Sequence, residues 1–180
     1  MAVLVLWASP NKDGLTAACK DAALLGISQA GKMGEAIPLN EYDIQRCWVC
    51  NDGYGICREG KCIIQDDLMR VYDAMVAAEG IILITPVYWH DLSEPLKTLL
   101  DRIRRMETRQ NHALENKKCL LVAAAGGTGN GVVRCLEQME HALGNMKAEV
   151  RDRLPITRFS RAYMLPAIKE AAAALCQELG

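Results

Sequence analysis

Residues 3–16, V-L-V-L-W-A-S-P-N-K-D-G-L-T, set the organisation of the chain. Val3 to Trp7 is a continuous apolar run, as a parallel strand shows when both of its faces are covered. Ser9, Pro10, Asn11, Gly14 and Thr16 follow directly, and an alanine-rich helical pattern begins at about Ala17. The first N–H groups of such a helix lack internal partners and carry the positive end of its dipole, so an anionic phosphate can dock there, with side-chain hydrogen bonds from Ser9, Asn11 and Thr16. An ordinary strand-to-helix turn capped by Thr16 or Asp13 accounts for the same residues. The two readings separate only through what the rest of the chain brings beside this loop.

Downstream, residues 16–29 read as a helix ended by Gly31 and Gly34, and residues 36–39 as a short second strand. From 40 to 65 the apolar period lapses, and Cys47, Cys50, Cys57 and Cys62 appear among Gly53, Gly55 and Gly60, which marks an ordered insertion. Asp66 and Asp67 suit the cap and first turn of a helix carrying Leu68, Val71, Tyr72, Met75 and Val76, closed by Gly80. Residues 80–85 form the clearest central strand, and the loop P-V-Y-W-H-D-L at 86–92 leads to Ser93 as N-cap of a helix bearing Leu96, Leu99, Leu100, Ile103 and Met106. Glu107 to Asn116 reads as a polar connection. A strand at 118–125 then runs into a glycine-rich loop at 126–131, followed by a helix over 132–143, a strand over 147–156 and a helix over 165–179 with Pro166 near its start.

This alternation predicts an α/β fold, a doubly wound five-stranded parallel sheet of order 2-1-3-4-5 with helices on both faces. Strands 1, 3 and 4 are neighbours in that order. The loops after Trp7, Thr85 and Ala125 therefore converge at the topological switch point, where such sheets bind ligands. Phosphate belongs in the first loop, and a planar ring fits between the aromatic second loop and the small residues of the third.

A chain of 180 residues is most simply one domain, 1–180, large enough to bury about 70% of its unfolded surface. With 21 basic and 22 acidic residues it has no global field for nucleic acid or an anionic membrane. Arginines do cluster at 102, 104, 105 and 109, and again at 151, 153, 158 and 161. A solvated helix face and a polar strand edge explain them, as does an anionic partner such as a nucleotide phosphate. The N-terminal run has no positive flank and is too short to span a bilayer, which predicts a cytoplasmic protein. Eight cysteines in that setting point away from a disulfide framework. Cys19, Cys119, Cys135 and Cys176 fall in helix or strand patterns and read as buried small hydrophobes.

S-P-N-K-D-G-L-T at 9–16, P-V-Y-W at 86–89 with L-K-T-L-L-D-R at 96–102, and G-G at 126–127 together resemble the NADPH-dependent FMN reductase and iron-sulfur flavoprotein branch of the flavodoxin-like superfamily. The likeness extends to about residue 131. It implies FMN as cofactor, with phosphate contacts from Ser9, Asn11, Gly14, Leu15 and Thr16 and ring contacts from Pro86, Val87, Tyr88, Trp89, Gly126 and Gly127. Leu15 stands where the family commonly has Asn, and Asn11 where Arg is frequent, which leaves Lys12 or backbone amides to balance charge. The resemblance further implies electrons taken from NAD(P)H and passed to a flavin, quinone or other small acceptor, in a homodimer or homotetramer. An electron-transfer flavoprotein serving a protein partner is the alternative. Hydride transfer is flavin chemistry, so no catalytic side chain is singled out. His90 reads as a structural loop histidine or a proton shuttle, and Trp89 as pocket wall or core.

The spacing C-x2-C-x6-C-x4-C at Cys47, Cys50, Cys57 and Cys62 leaves three readings open: a [4Fe-4S] cluster, a zinc ion, or free thiols on a cap over the flavin. The iron-sulfur flavoproteins have two residues between their second and third cysteines where this chain has six, with Gly53 at the third position.

Overall fold

The structure, a computed structural model, describes residues 2–179. Strands β1 (Val3–Trp7), β2 (Gly34–Pro38), β3 (Gly80–Pro86), β4 (Lys118–Ala125) and β5 (Glu149–Thr157) form one sheet of order β2-β1-β3-β4-β5. Every pairing is parallel, with Trp7 opposite Ile84, Pro86 opposite Ala124 and Ala125 opposite Thr157. This is the flavodoxin-like topology expected from the element order.

The helices are α1 (Leu15–Gln29), α2 (Leu68–Ala77), α3 (Glu94–Met106), α4 (Val132–Asn145) and α5 (Arg161–Gln177). Alternate strand residues feed two cores, which is why β1, β3 and β4 read as unbroken apolar runs. Leu4, Leu6, Ile81, Leu83 and Leu121 pack with residues of α2, α3 and α4 such as Leu68, Leu99 and Met139. Val3, Val5, Ile82, Ile84 and Val122 pack with residues of α1 and α5 such as Ile27 and Ile168.

Several boundaries differ from expectation for local reasons. α1 starts behind Gly14, with no side-chain cap from Asp13 or Thr16. β2 begins at Gly34 because pairing with Val3 fixes its register, and Leu39 opens a short 3-10 turn instead. α5 begins four residues before Leu165. A hydrogen-bonded turn starts it, in which the Thr157 amide donates to Ser160 Oγ at 2.9 Å and the Ser160 amide to Thr157 Oγ1 at 3.2 Å. Pro166 consequently lies inside the helix, at an exposed position where the carbonyl it leaves without a donor is open to solvent. β5 is an edge strand, mostly exposed, and its Arg151 and Arg153 pair with Glu149, Glu178 and Glu140. Charges along an edge discourage pairing with a foreign strand. Among the described residues no helix is long and apolar enough to cross a membrane.

α1 and α5 lie side by side on one face and meet most closely at Gly26. A Cβ there would sit 2.0 Å from the Lys169 carbonyl oxygen and 3.1 Å from Ala172 Cβ. Gly26→Ala must push the helices apart, and overpacking of this kind costs about 1–3 kcal/mol, more than the roughly 1 kcal/mol that alanine gains over glycine in a helix. Urea unfolding is expected to show a net loss of stability. A variant as stable as the wild type would mean that the contact is not tight in solution.

Candidate functional site

The loop after β1 is folded on itself by its own side chains. Ser9 Oγ accepts the Asn11 amide at 3.2 Å, and Asn11 Oδ1 accepts the Asp13 amide at 3.2 Å. Ser9 and Thr16 are buried. The first turn of α1 has neither an acidic residue nor a side-chain cap, so its leading amides are left for an anion. Leu15 is partly buried and packs its side chain against the core beneath α1. Lys12, one of the two expected sources of balancing charge beside the backbone amides, pairs with Glu41 at 2.5 Å on the exposed surface.

The second loop is pinned where β3 meets α3. Ser93 occupies the N-cap position, but its hydroxyl does not cap the helix. Thr85 Oγ1 bonds to Ser93 Oγ at 2.9 Å and accepts the Ser93 amide at 3.2 Å. Between them Tyr88 and Asp91 exchange backbone hydrogen bonds of 3.1 and 3.0 Å, and Trp89 and His90 take left-handed conformations with φ of 51° and 67°. Two successive residues of that kind make a type I′ turn. It lifts Trp89 into solvent, 98% exposed, which excludes the core reading. The third loop reaches this turn through Gly131, whose φ is +85° and whose Cβ, if present, would lie 2.6 Å from His90 Cα. Any side chain there would part the two loops.

These two loops enclose a hollow of about 430 Å³ lined by Val87, Trp89, His90, Ala125, Gly126, Gly127, Thr128, Gly129 and Asn130. Nothing lies within 4 Å of where a Cβ would stand on Gly126 or Gly127, so their backbone faces open space that a flat ligand can fill. Of the expected ring contacts, Val87, Trp89, Gly126 and Gly127 line the hollow. Tyr88 is exposed beside it, and Pro86 is buried as the last residue of β3. The first loop does not line it, although Trp7 opposite Ile84 brings both loops to the same sheet edge. Thr128, Gly129 and Asn130 were missing from the sequence expectation, and the glycine run that marks the third loop could have pointed to them. A larger groove of about 630 Å³ runs between α3 and α4, but it draws no residue from the first or third loop.

The cysteine insertion is tethered to α3 through Arg102, and this corrects the reading of that arginine as part of a solvated face. Its side chain and that of Asp66 are 1% and 0% exposed. The guanidinium grips both Asp66 oxygens, donates to the Gln45 carbonyl at 2.9 Å and reaches Cys62 Sγ at 3.3 Å. Asp66 also accepts the Gln45 and Leu68 amides. Burial alone would raise this carboxyl, but the Arg102 bonds and the two amides outweigh it and hold it below the usual range. Arg105 donates to the Gly53 carbonyl. Glu107, expected in a polar connection, is fully buried, joins the Tyr72 hydroxyl and accepts the Leu114 amide at 2.9 Å. Burial, then Glu107, push the Tyr72 hydroxyl well above its ordinary value. Arg102 falls three residues after Leu99 and Glu107 four after Ile103, on the apolar stripe itself, and that spacing was the available signal.

Cys47, Cys50, Cys57 and Cys62 line one hollow of about 30 Å³ beside Arg102 and Arg105. Thiolates are the right donors for zinc or iron. Yet among the described residues no three cysteine, histidine or acidic side chains converge on a point that could hold a metal ion. As arranged, the residues do not fit that group. Cys19, Cys119 and Cys135 are buried as expected, and burial pushes each thiol up to about 12.

Comparison with known proteins extends the likeness. The family model for NADPH-dependent FMN reductase matches residues 1–156. An iron-sulfur flavoprotein of Methanocaldococcus jannaschii is 34% identical over 142 residues, which span 78% of this chain and 70% of that protein. Among solved structures, RosB with a bound riboflavin-5'-phosphate derivative superposes with a TM-score of 0.79 at 14% identity, covering 99% of this chain and 80% of that one. An NAD(P)H:quinone oxidoreductase from Methanothermobacter marburgensis gives 0.75 at 22% identity, covering 97% and 96%. At those identities the structures speak for the fold alone.

Removing one partner of a buried ion pair costs about 3–5 kcal/mol, so Arg102→Met should free the insertion as well as destabilise the chain. Because the folded Asp66 carboxyl sits low, the pair stabilises fully above the ordinary Asp value near 3.9 and fades as pH falls through the folded value. Limited proteolysis should therefore cut the wild type between residues 40 and 65 only in strong acid, and Arg102→Met already at pH 7. Equal resistance at pH 7 would contradict this anchoring.

Proposed function

The chain belongs to the NADPH-dependent FMN reductase family, and from that premise we propose that it is an FMN-dependent oxidoreductase taking electrons from NAD(P)H and passing them to a small acceptor such as a quinone or a free flavin. The observation that carries this reading is the hollow at the carboxyl edge of the sheet, open over Gly126 and Gly127 and bounded by Val87 and Trp89. Its size suits a tricyclic ring. The uncapped start of α1 supplies a separate anion site along the same edge. FMN, when bound, supplies hydride and electron transfer.

The chain's own residues then have simple tasks. Backbone amides of 14–16, with Ser9, Asn11 and Thr16, hold the phosphate. Gly126 and Gly127 give the ring a flat backbone floor, and Val87 shields one side from water. The Tyr88–Asp91 turn, braced by Thr85 and Ser93, fixes Trp89 at the mouth. Trp89 there can stack on an aromatic acceptor or be covered by a second copy of the chain, in keeping with a homodimer or homotetramer. His90 stays a structural member of the loop, held against Gly131.

We read the cysteine insertion as a thiol-bearing cap, on the six-residue gap between Cys50 and Cys57 and the lack of convergence among the four thiols. No electron step is routed through it. Anaerobically purified protein should contain far less than one iron and one sulfide per chain; about four of each would overturn the cap reading.

Purified protein is expected to be yellow, or to take up FMN stoichiometrically, and to be bleached by NADH or NADPH without air. It should also turn over with a quinone or free flavin unaided. A colourless protein that gains no FMN would refute the proposal, and bleaching without turnover until a protein partner is added would favour the electron carrier.

A further inference from the structure

A bound FMN phosphate carries between one and two negative charges at neutral pH, and the one cation in the loop that would hold it, Lys12, is solvent-exposed and turned to an acidic partner. That partner is Glu41, at 2.5 Å. Lys20, the next along α1, holds Asp21 at 2.5 Å and lies over the Trp7 ring. Asp13 adds a negative charge to the loop itself. Resting on the FMN reading above, we propose that Arg161, the first residue of α5, supplies the positive charge that faces this phosphate.

The placement follows from the contact between α1 and α5. Both helices lead back from the carboxyl edge of the sheet, so they run parallel, and Gly26 of α1 lies against Lys169 and Ala172 of α5. Both rise 1.5 Å per residue. Arg161 lies eight residues before Lys169 and eleven before Ala172, and the same steps back from Gly26 reach Ala18 and Leu15. Arg161 is therefore level with the start of α1.

The buried Cys19 thiol, one turn into α1, reports the same proximity. Burial raises it, and the charge of Arg161 partly offsets that rise. The Thr157–Ser160 turn fixes the residue immediately before Arg161. Among the described residues Arg161 has no acidic partner, and the first turn of α5 contains no acid that would compete for it. Arg158, the other cation of this loop, lies on the Phe159 ring at 4.6 Å.

The test compares FMN with riboflavin, which lacks the phosphate, by flavin-fluorescence titration of the full-length chain freed of flavin. Arg161→Gln should weaken FMN binding about tenfold or more, as for a lost charge-assisted bond, and leave riboflavin within about twofold of the wild type. Arg161→Lys should recover most of the loss, and Lys12→Gln should bind FMN like the wild type. The salt dependence of FMN binding should be shallower in Arg161→Gln. Equal FMN affinity in Arg161→Gln and wild type overturns the assignment, and so does equal loss of both flavins. A selective FMN loss in Lys12→Gln with none in Arg161→Gln overturns it in favour of Lys12. A wild type that takes up neither flavin refutes the FMN reading itself and this assignment with it.

Discussion

The parallel register of β1, β3 and β4 is the constraint from which the site follows. Each strand must be returned by a helix, so every loop that leaves a strand's carboxyl end emerges on the same edge, beside its neighbours. Trp7 opposite Ile84 and Pro86 opposite Ala124 put three loops of different chemistry on one edge of the sheet. The loops themselves are short and internally bonded. The sheet therefore decides where they are, and local turn chemistry decides only what they present.

The second organising contact lies away from that edge. Arg102 reaches out of the α3 stripe to close a buried pair with Asp66, and the same guanidinium touches Gln45 and Cys62. A buried pair gives back little net stability after its desolvation. What it gives here is position: one helix that lines the sheet also fixes both ends of an insertion with almost no regular structure. Arg105 to Gly53 and Asn111 to Gly60 add lesser ties from the same helix and its continuation. The insertion and the second loop are thus both attached to α3, one along its length and one at its start.

Strand positions were legible because β1, β3 and β4 are covered on both faces, and unbroken aliphatic runs have few other uses. The loop convergence was legible for the same reason, since strand order follows from alternation with helices. Side-chain choices that override pattern were not. Thr157 and Ser160 build a turn that starts α5 early, and Pro166 read as a helix start although it lies within the helix. Arg102 and Glu107 looked like surface residues because charge was weighed above spacing, while their partners lie 36 and 35 residues away in sequence. Such distant partners leave no local trace. The Lys12–Glu41 pair was hidden for a similar reason, because Glu41 belongs to a different part of the chain.

The three tryptophans of the chain occupy three different surroundings. Trp7 is buried at the end of β1, Trp48 stands half-exposed on the cysteine insertion, and Trp89 is almost wholly in solvent at the mouth of the hollow. Their emission should be correspondingly distinct: Trp7 blue-shifted and poorly reached by iodide, Trp48 and Trp89 red-shifted and readily quenched. Single-tryptophan variants would turn this arrangement into three separate optical reporters, for the integrity of the sheet, for the seating of the insertion and for whatever comes to rest against the open face.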